Sequence, residues 1–362
     1  MAGGFIIKGI QLEGTYHISI NNQHYKRRLP MKKRYFKDYL FTPCIVLMSL
    51  VFMVTILTGE AEAASKFPSK TITYVIPTSP GGGFDTFSRM VLPFLQKYLP
   101  GNPKIIIKNA PGGEWNIGIN KMNRAKPDGH TVGILNMPAN AVSQVLGTAK
   151  FDLRKMNWLG NIGEVTYVTA ISRKSKYKTL KALQEAPEVV SGVVGLASTA
   201  GLGTLIAAER MGVKMKFLPH VGSTEAILAA IRGDVDWVQY PFSTLKKSIV
   251  DSHDLIPIWV YSKERIKLIP DVPTVVELGY GDLNNVVKMY RPVAGPPGMS
   301  EEVIKLWRDA FWKATNDPEF QKKQRAANAS PLPMTAEELD AMVVGAIKMV
   351  SEYKDLIKKH RK

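Results

Sequence analysis

Apolar residues along the chain keep two rhythms. Short unbroken runs of β-branched and aromatic residues, closed by proline or glycine, predict buried strands, and apolar positions three and four apart predict helices between them. The first strand is Ile72-Thr73-Tyr74-Val75-Ile76, stopped at Pro77 and followed by Pro80-Gly81-Gly82-Gly83. A helix over 85–98 then sets Met90, Val91, Phe94, Leu95 and Tyr98 on one face, with Pro93 as a kink. Ile105-Ile106-Ile107 is the second strand, Pro111-Gly112-Gly113 its turn, and 116–125 a second helix closed by Pro127-Asp128-Gly129. A third strand over 131–135 stops at Asn136. Further strands are expected over 165–171, 189–196, 235–240 and 256–261, with helices over 178–185 and 205–211. Gly222-Ser223 opens a helix carrying Ile227, Leu228 and Ile231 and closed by Gly233; Ser300 caps a helix over 301–316, and Thr335 with Glu338 forms a capping box for the last one.

Strands alternating with helices imply right-handed crossovers and a parallel sheet, whose ligands sit beyond the carboxyl ends of the strands. Both glycine turns and Asn136 lie at such ends. A third small-residue turn, Ser198-Thr199-Ala200-Gly201-Leu202-Gly203-Thr204, precedes the helix over 205–211. Each turn opens a helix, where unpaired N–H groups and the dipole favour an anion. The central expectation is that the turns face one another and hold a small carboxylate.

The residues at these turns admit bland readings too. Gly81, Gly82 and Gly83 exceed what a tight turn requires, although a turn without ligand is the alternative. No Lys-Ser/Thr follows them, and Thr86 stands at the third-glycine place of a dinucleotide fingerprint, so neither nucleotide motif is present. Asp85 either caps its helix and pairs with Arg89 or orders water at the site; Arg89 neutralises a charge that would otherwise repel the ligand. Ser198, Thr199 and Thr204 serve as caps or as ligand contacts. Tyr240 and Phe242 belong to core or rim, or line the cleft. His130, His220 and His253 are too scattered for a metal site, and no cofactor is expected.

Charge narrows the classes. Lys and Arg number 48 against 31 Asp and Glu, a formal net charge of +17, but the lysines are dispersed and no nucleic-acid motif or aromatic-interleaved basic stripe occurs. That leaves an anionic membrane surface or an anionic ligand as the partner of this charge. The single cysteine, Cys44, lies in the leader, so the rest of the chain can hold no disulfide. Met31-Lys32-Lys33-Arg34 is a basic n-region, residues 45–57 an apolar run, and Ala61-Glu62-Ala63 a small-x-small cleavage pattern. Residues 1–63 are therefore expected to be a leader with a signal peptide, Met31 being the better initiator. An uncleaved membrane anchor is the rival, shortened by Pro43.

With these residues assembled, the sequence resembles the substrate-binding proteins of tripartite tricarboxylate transporters, the Bug or TctC-like family. The resemblance rests on Pro80-Gly81-Gly82 with Asp85 and Arg89, Asn109-x-Pro111-Gly112 with Asn116-x-Gly118, and Pro127-Asp128-Gly129-x-Thr131; then Gly222-Ser223, Gly233-x-Val235-Asp236, and Asp271-Val272-Pro273-Thr274 with Glu277 and Gly279. It implies an α/β, two-lobed periplasmic-binding-protein type II fold, each lobe a mostly parallel sheet flanked by helices, with a hinged interlobe cleft. Residues 64–166 and 289–362 would form one lobe and 167–288 the other. It also implies that the turns at Gly81-Gly82-Gly83-Phe84 and Pro111-Gly112-Gly113 grip a carboxylate, that Ser198 to Thr204 and Gly222-Ser223 contribute from the second lobe, and that a membrane permease receives the ligand. Where the family usually has Gly-Ala-Gly-Gly, this chain has Gly112-Gly113-Glu114-Trp115, and it lacks the histidine often found after Gly203-Thr204. If Glu114 and Trp115 point inward, the cargo is aromatic or carries a donor; if outward, Trp115 packs on the lobe surface.

The resulting expectation is a monomeric, non-enzymatic periplasmic receptor for a small organic acid, working with the membrane subunits of a transporter. Two rivals use the same residues: a ligand-sensing receptor feeding a signalling partner, and an exported α/β hydrolase. The second lacks Gly-x-Ser-x-Gly and a placed base.

Overall fold

In the computed structural model, which describes residues 67–360, the leader and its cleavage pattern fall outside the described residues. The apolar runs of the first third become a parallel trio: β1 (Ile72–Ile76) pairs with β2 (Ile105–Asn109) on one side and β3 (Thr131–Ile134) on the other. α1 (Gly83–Tyr98) and α2 (Asn116–Asn123) are the crossovers between them, and α3 (Ala139–Val145) follows β3. β4 (Asn157–Ser172) then runs for 16 residues, starting well before the expected residue 165.

The second half repeats the scheme with α4 (Leu180–Glu185), β5 (Val189–Val193), α5 (Thr199–Met211), β6 (Met215–Pro219), α6 (Ser223–Arg232) and β7 (Trp237–Pro241). α7 (Phe242–Lys246), β8 (Leu255–Tyr261) and α8 (Leu283–Val286) lead to β9 (Lys288–Gly295). Four helices close the chain: α9 (Glu301–Asn316), α10 (Pro318–Ala326), α11 (Ala336–Glu352) and α12 (Lys354–His360). The expected caps form: Ser300 Oγ accepts from Val303 N–H, and Thr335 and Glu338 exchange both capping-box bonds.

The strand order is β2-β1-β3-β9-β4-β7-β5-β6, with β8 also pairing β4. Parallel pairing holds in the trios β2-β1-β3 and β7-β5-β6; β9, β4 and β8 add antiparallel ladders between them, so the sheet is mixed. β4 belongs to both halves, pairing β9 up to Thr166 and β7 and β8 from Tyr167 onward. Two strands escape the apolar pattern: β6, a half-exposed edge, and β9, interrupted by Lys288, Arg291 and Pro292. The core beneath is aromatic, with Trp237 edge-on to Trp259 at 5.1 Å and Trp307, Phe311 and Phe320 buried on the helical side of the first sheet.

Candidate functional site

The first turn leaves β1 through buried Pro77 and enters α1 through Gly81, whose φ of +85° only glycine adopts freely, with Gly82 as N-cap. Asp85 knots it together. Its carboxylate, 4% exposed, accepts from Arg89 Nε at 2.8 Å and Nη2 at 3.1 Å, from Gly81 N–H at 3.0 Å and from Asn109 Nδ2 at 3.2 Å. The Arg89 bonds, helped by the Gly81 and Asn109 donors against the cost of burial, pull its pKa down to about 2. Asn109 also donates to the Thr78 carbonyl, tying the end of β2 to the first turn.

The second turn is four consecutive residues with positive φ: Gly112 (+111°), Gly113 (+57°), Glu114 (+51°) and Trp115 (+80°). Glu114 and Trp115 thus occupy a backbone shape that suits glycine, each at a cost of order ~1–3 kcal/mol. Trp115 stands edge-on to Phe84 of α1, ring centroids 4.3 Å apart at 85°. The next glycine, Gly118, is there for close approach. A Cβ at that position would lie 2.8 Å from Pro77 Cα and 2.9 Å from the Ala110 carbonyl, so α2 reaches both turns only because the position is bare.

Across from these turns stands the start of α5. A cleft of about 330 Å³ is walled by Thr78, Gly112, Glu114 and Trp115 on one side and by Gly195, Ala197 and Ser198 on the other, with exposed Val221 at the rim. Glu114 and Trp115 are thus among the residues that line this cleft. A larger hollow of about 720 Å³ between α9 and the start of α11 contains none of the turn residues. Deeper in, Thr199 Oγ1 donates to Asn136 Oδ1 at 2.8 Å.

Several expected residues are placed otherwise than in a turn open to ligand, although Ser198 lines the cleft. Thr199 already begins α5, so Gly203 and Thr204 lie inside a helix and not in a turn. Gly203 is bare because a Cβ would meet Gln239 Nε2 at 2.7 Å, and Thr204 is fully buried. Ser198 is the N-cap, accepting from Gly201 N–H at 2.9 Å and donating to the Gly195 carbonyl at 2.8 Å, which uses its proton internally. Gly222, not Ser223, caps α6, and the Glu225 carboxylate lies 2.7 Å from where a Gly222 Cβ would stand; that helix start is filled by its own acid. Tyr240 is buried in the second sheet with its hydroxyl donating to the Gly192 carbonyl, and burial pushes its phenol up.

One residue at the site escapes sequence reasoning. Arg291 of β9 is 2% exposed. Its guanidinium lies 3.9 Å from the Phe87 ring centroid and 5.6 Å from that of Phe84, with Nη2 4.0 Å from the Cβ position of Gly83. Nε and Nη1 are buried without a hydrogen-bond partner, and Arg291 forms no ion pair among the described residues. Burial pulls its pKa down to about 10, opposed by Tyr167.

The family model of the tripartite tricarboxylate transporter family receptor matches residues 89–361, well over half of the chain. This chain belongs to that receptor family. BugT of Bordetella pertussis is 24% identical over 310 residues, covering 82% of this chain and 92% of BugT. Among solved structures, a Rhodopseudomonas palustris protein with adipate superposes with a TM-score of 0.70 at 19% identity, covering 81% of this chain and 98% of that one. MatC of the same organism, with bound malate, gives a TM-score of 0.67 at 19% identity over 80% and 100%. The α/β fold with its mixed sheet flanked by helices is thus the fold of these proteins. Among the described residues of the family member here, no helix is long and apolar enough to cross a membrane.

Proposed function

We propose that this TctC-type receptor captures a small organic carboxylate in the cleft between its two half-sheets and delivers it to the membrane subunits of a tripartite tricarboxylate-type transporter. The carrying observation is the approximately 330 Å³ cleft in which the Gly112–Trp115 turn confronts Gly195–Ser198. What this cleft offers is backbone amides at helix starts, each contributing about 0.3–1 kcal/mol to an anion and more when partly buried. Several such groups with direct hydrogen bonds reach the roughly 8 kcal/mol of micromolar affinity. Nothing at the turns forms a nucleophile and base, which supports a receptor over a hydrolase.

In this reading the lobes divide as 64–166 with 289–362 and 167–288, supported by the switch of β4 pairing between Thr166 and Tyr167. The leader directs the protein to the periplasm, where it works as a monomer. Trp115 in the cleft wall favours a cargo with an aromatic or flat apolar body beside its carboxylate. A thermal-shift and calorimetric screen of the exported body against mono-, di- and tricarboxylates, aliphatic and aromatic, tests this. At least one class should raise Tm and bind with micromolar Kd; a panel in which no carboxylate shifts Tm removes the reading.

A further inference from the structure

We infer that Arg291 is the specificity-determining cation of this site, taking the ligand's carboxylate as its counter-ion at the Gly81–Gly83 turn. The inference rests on the receptor reading above and adds the group that makes a negative charge obligatory.

Three observations converge on one spot. The guanidinium is 2% exposed with Nε and Nη1 unpartnered, a costly state unless an anion arrives. It faces the start of α1, with Nη2 4.0 Å from the Cβ position of Gly83, and a cation at a helix N-terminus is repelled by the dipole. The acid nearest that turn, Asp85, is already saturated by Arg89, Gly81 and Asn109 and has no lone pair to spare for a second guanidinium. Helix start and guanidinium therefore add to an uncompensated positive field, which a carboxylate satisfies and a neutral amide does not.

Phe87 and Phe84 flank the guanidinium plane, and Phe84 in turn holds Trp115 of the cleft wall. The guanidinium thus stands behind the Phe84 ring that backs Trp115, one layer in from the cleft lining. The Arg291 backbone N–H donates to Asn161 Oδ1 at 3.1 Å, which fixes the main chain from which the side chain reaches Phe87 and Phe84.

The test uses the exported chain as wild type, Arg291→Met and Arg291→Lys, with calorimetry and thermal melts against adipate, against its neutral isostere adipamide, and against the carboxylates of the screen. Wild type is expected to bind the acid and ignore the diamide. Arg291→Met should melt higher than wild type without ligand, because a buried unpaired charge has gone, and bind the acid about 10- to 100-fold more weakly. Arg291→Lys should recover part of that loss. Arg291→Met that melts lower while keeping wild-type Kd would assign the guanidinium to packing against Phe87 and overturn the inference, leaving the receptor reading intact. Equal affinity of wild type for acid and diamide would overturn it too. If wild type binds no carboxylate at all, the receptor reading and this inference fail together.

Discussion

The Thr199 hydroxyl donates to Asn136 Oδ1 across 2.8 Å, and both side chains are buried. Asn136 follows β3 of the first sheet and Thr199 begins α5 of the second, so the bond joins the two halves. Asn140 Oδ1 accepts the Asn136 N–H at 2.6 Å and holds that end of the pair in place. Thr199→Val keeps the shape and deletes the donor, leaving a buried acceptor unsatisfied at a cost of about 1–3 kcal/mol to the arrangement in which the two halves are joined. Calorimetry should therefore show a Kd weakened by about five- to a hundredfold, the equivalent of that cost. An unchanged Kd would mean that the bond persists whether or not ligand is present.

Acid should loosen the first turn. Asp85 titrates at about 2 in the folded chain against an ordinary 3.8, so it contributes stability that is complete above pH 3.8 and lost as pH falls through about 2. Thermal melts between pH 2 and 6 should show this loss in wild type. Asp85→Asn should melt lower at pH 6 and fall less steeply toward pH 2.

Gly118→Ala places a methyl 2.8 Å from Pro77 and 2.9 Å from the Ala110 carbonyl, both backbone neighbours at the two turns. Overpacking of this kind costs about 1–3 kcal/mol. Since the strain falls on the turns themselves, denaturant titration should show the loss of stability and calorimetry a parallel loss of affinity. Gly147→Ala, at an open position with φ +74°, is a control that strains only its own backbone.

Trp115→Gly relieves a left-handed residue and removes the edge contact with Phe84, the two effects each being about 1 kcal/mol and opposite in sign. Tm should therefore move little. Ligand profiling should move more, shifting preference from aromatic toward aliphatic acids. An unchanged ligand profile would show that the indole is wall and not reader.

Local chemistry made much of this architecture legible. β1, β2 and β3 are written as apolar runs closed by turn residues, and Ser300, Thr335 and Glu338 carry their caps in plain sequence. Gly201 and Gly203 misled because glycine reads as a turn, whereas both stand in α5 for close approach: a Cβ on Gly201 would meet the Gly195 carbonyl at 2.1 Å. The positive φ values of Glu114 and Trp115 are invisible from residue type, since both residues disfavour that shape and are held in it by the surrounding turn. Arg291 escaped for a related reason. In Lys288-Met289-Tyr290-Arg291-Pro292 the charges and the proline read as solvated loop, and only the pairing of β9 between β3 and β4 buries the guanidinium.

Thr166 of β4 sits opposite Lys288 of β9 at the place where the chain leaves one half and where it comes back. Two antiparallel strands in register are about 5 Å apart, so these two passages lie side by side. Sliding one half past the other would tear the ladders on either side of this pair. Changes at Thr166 or Lys288 should accordingly register in how fast cargo enters and leaves, through association and dissociation rates, with the equilibrium between them nearly untouched.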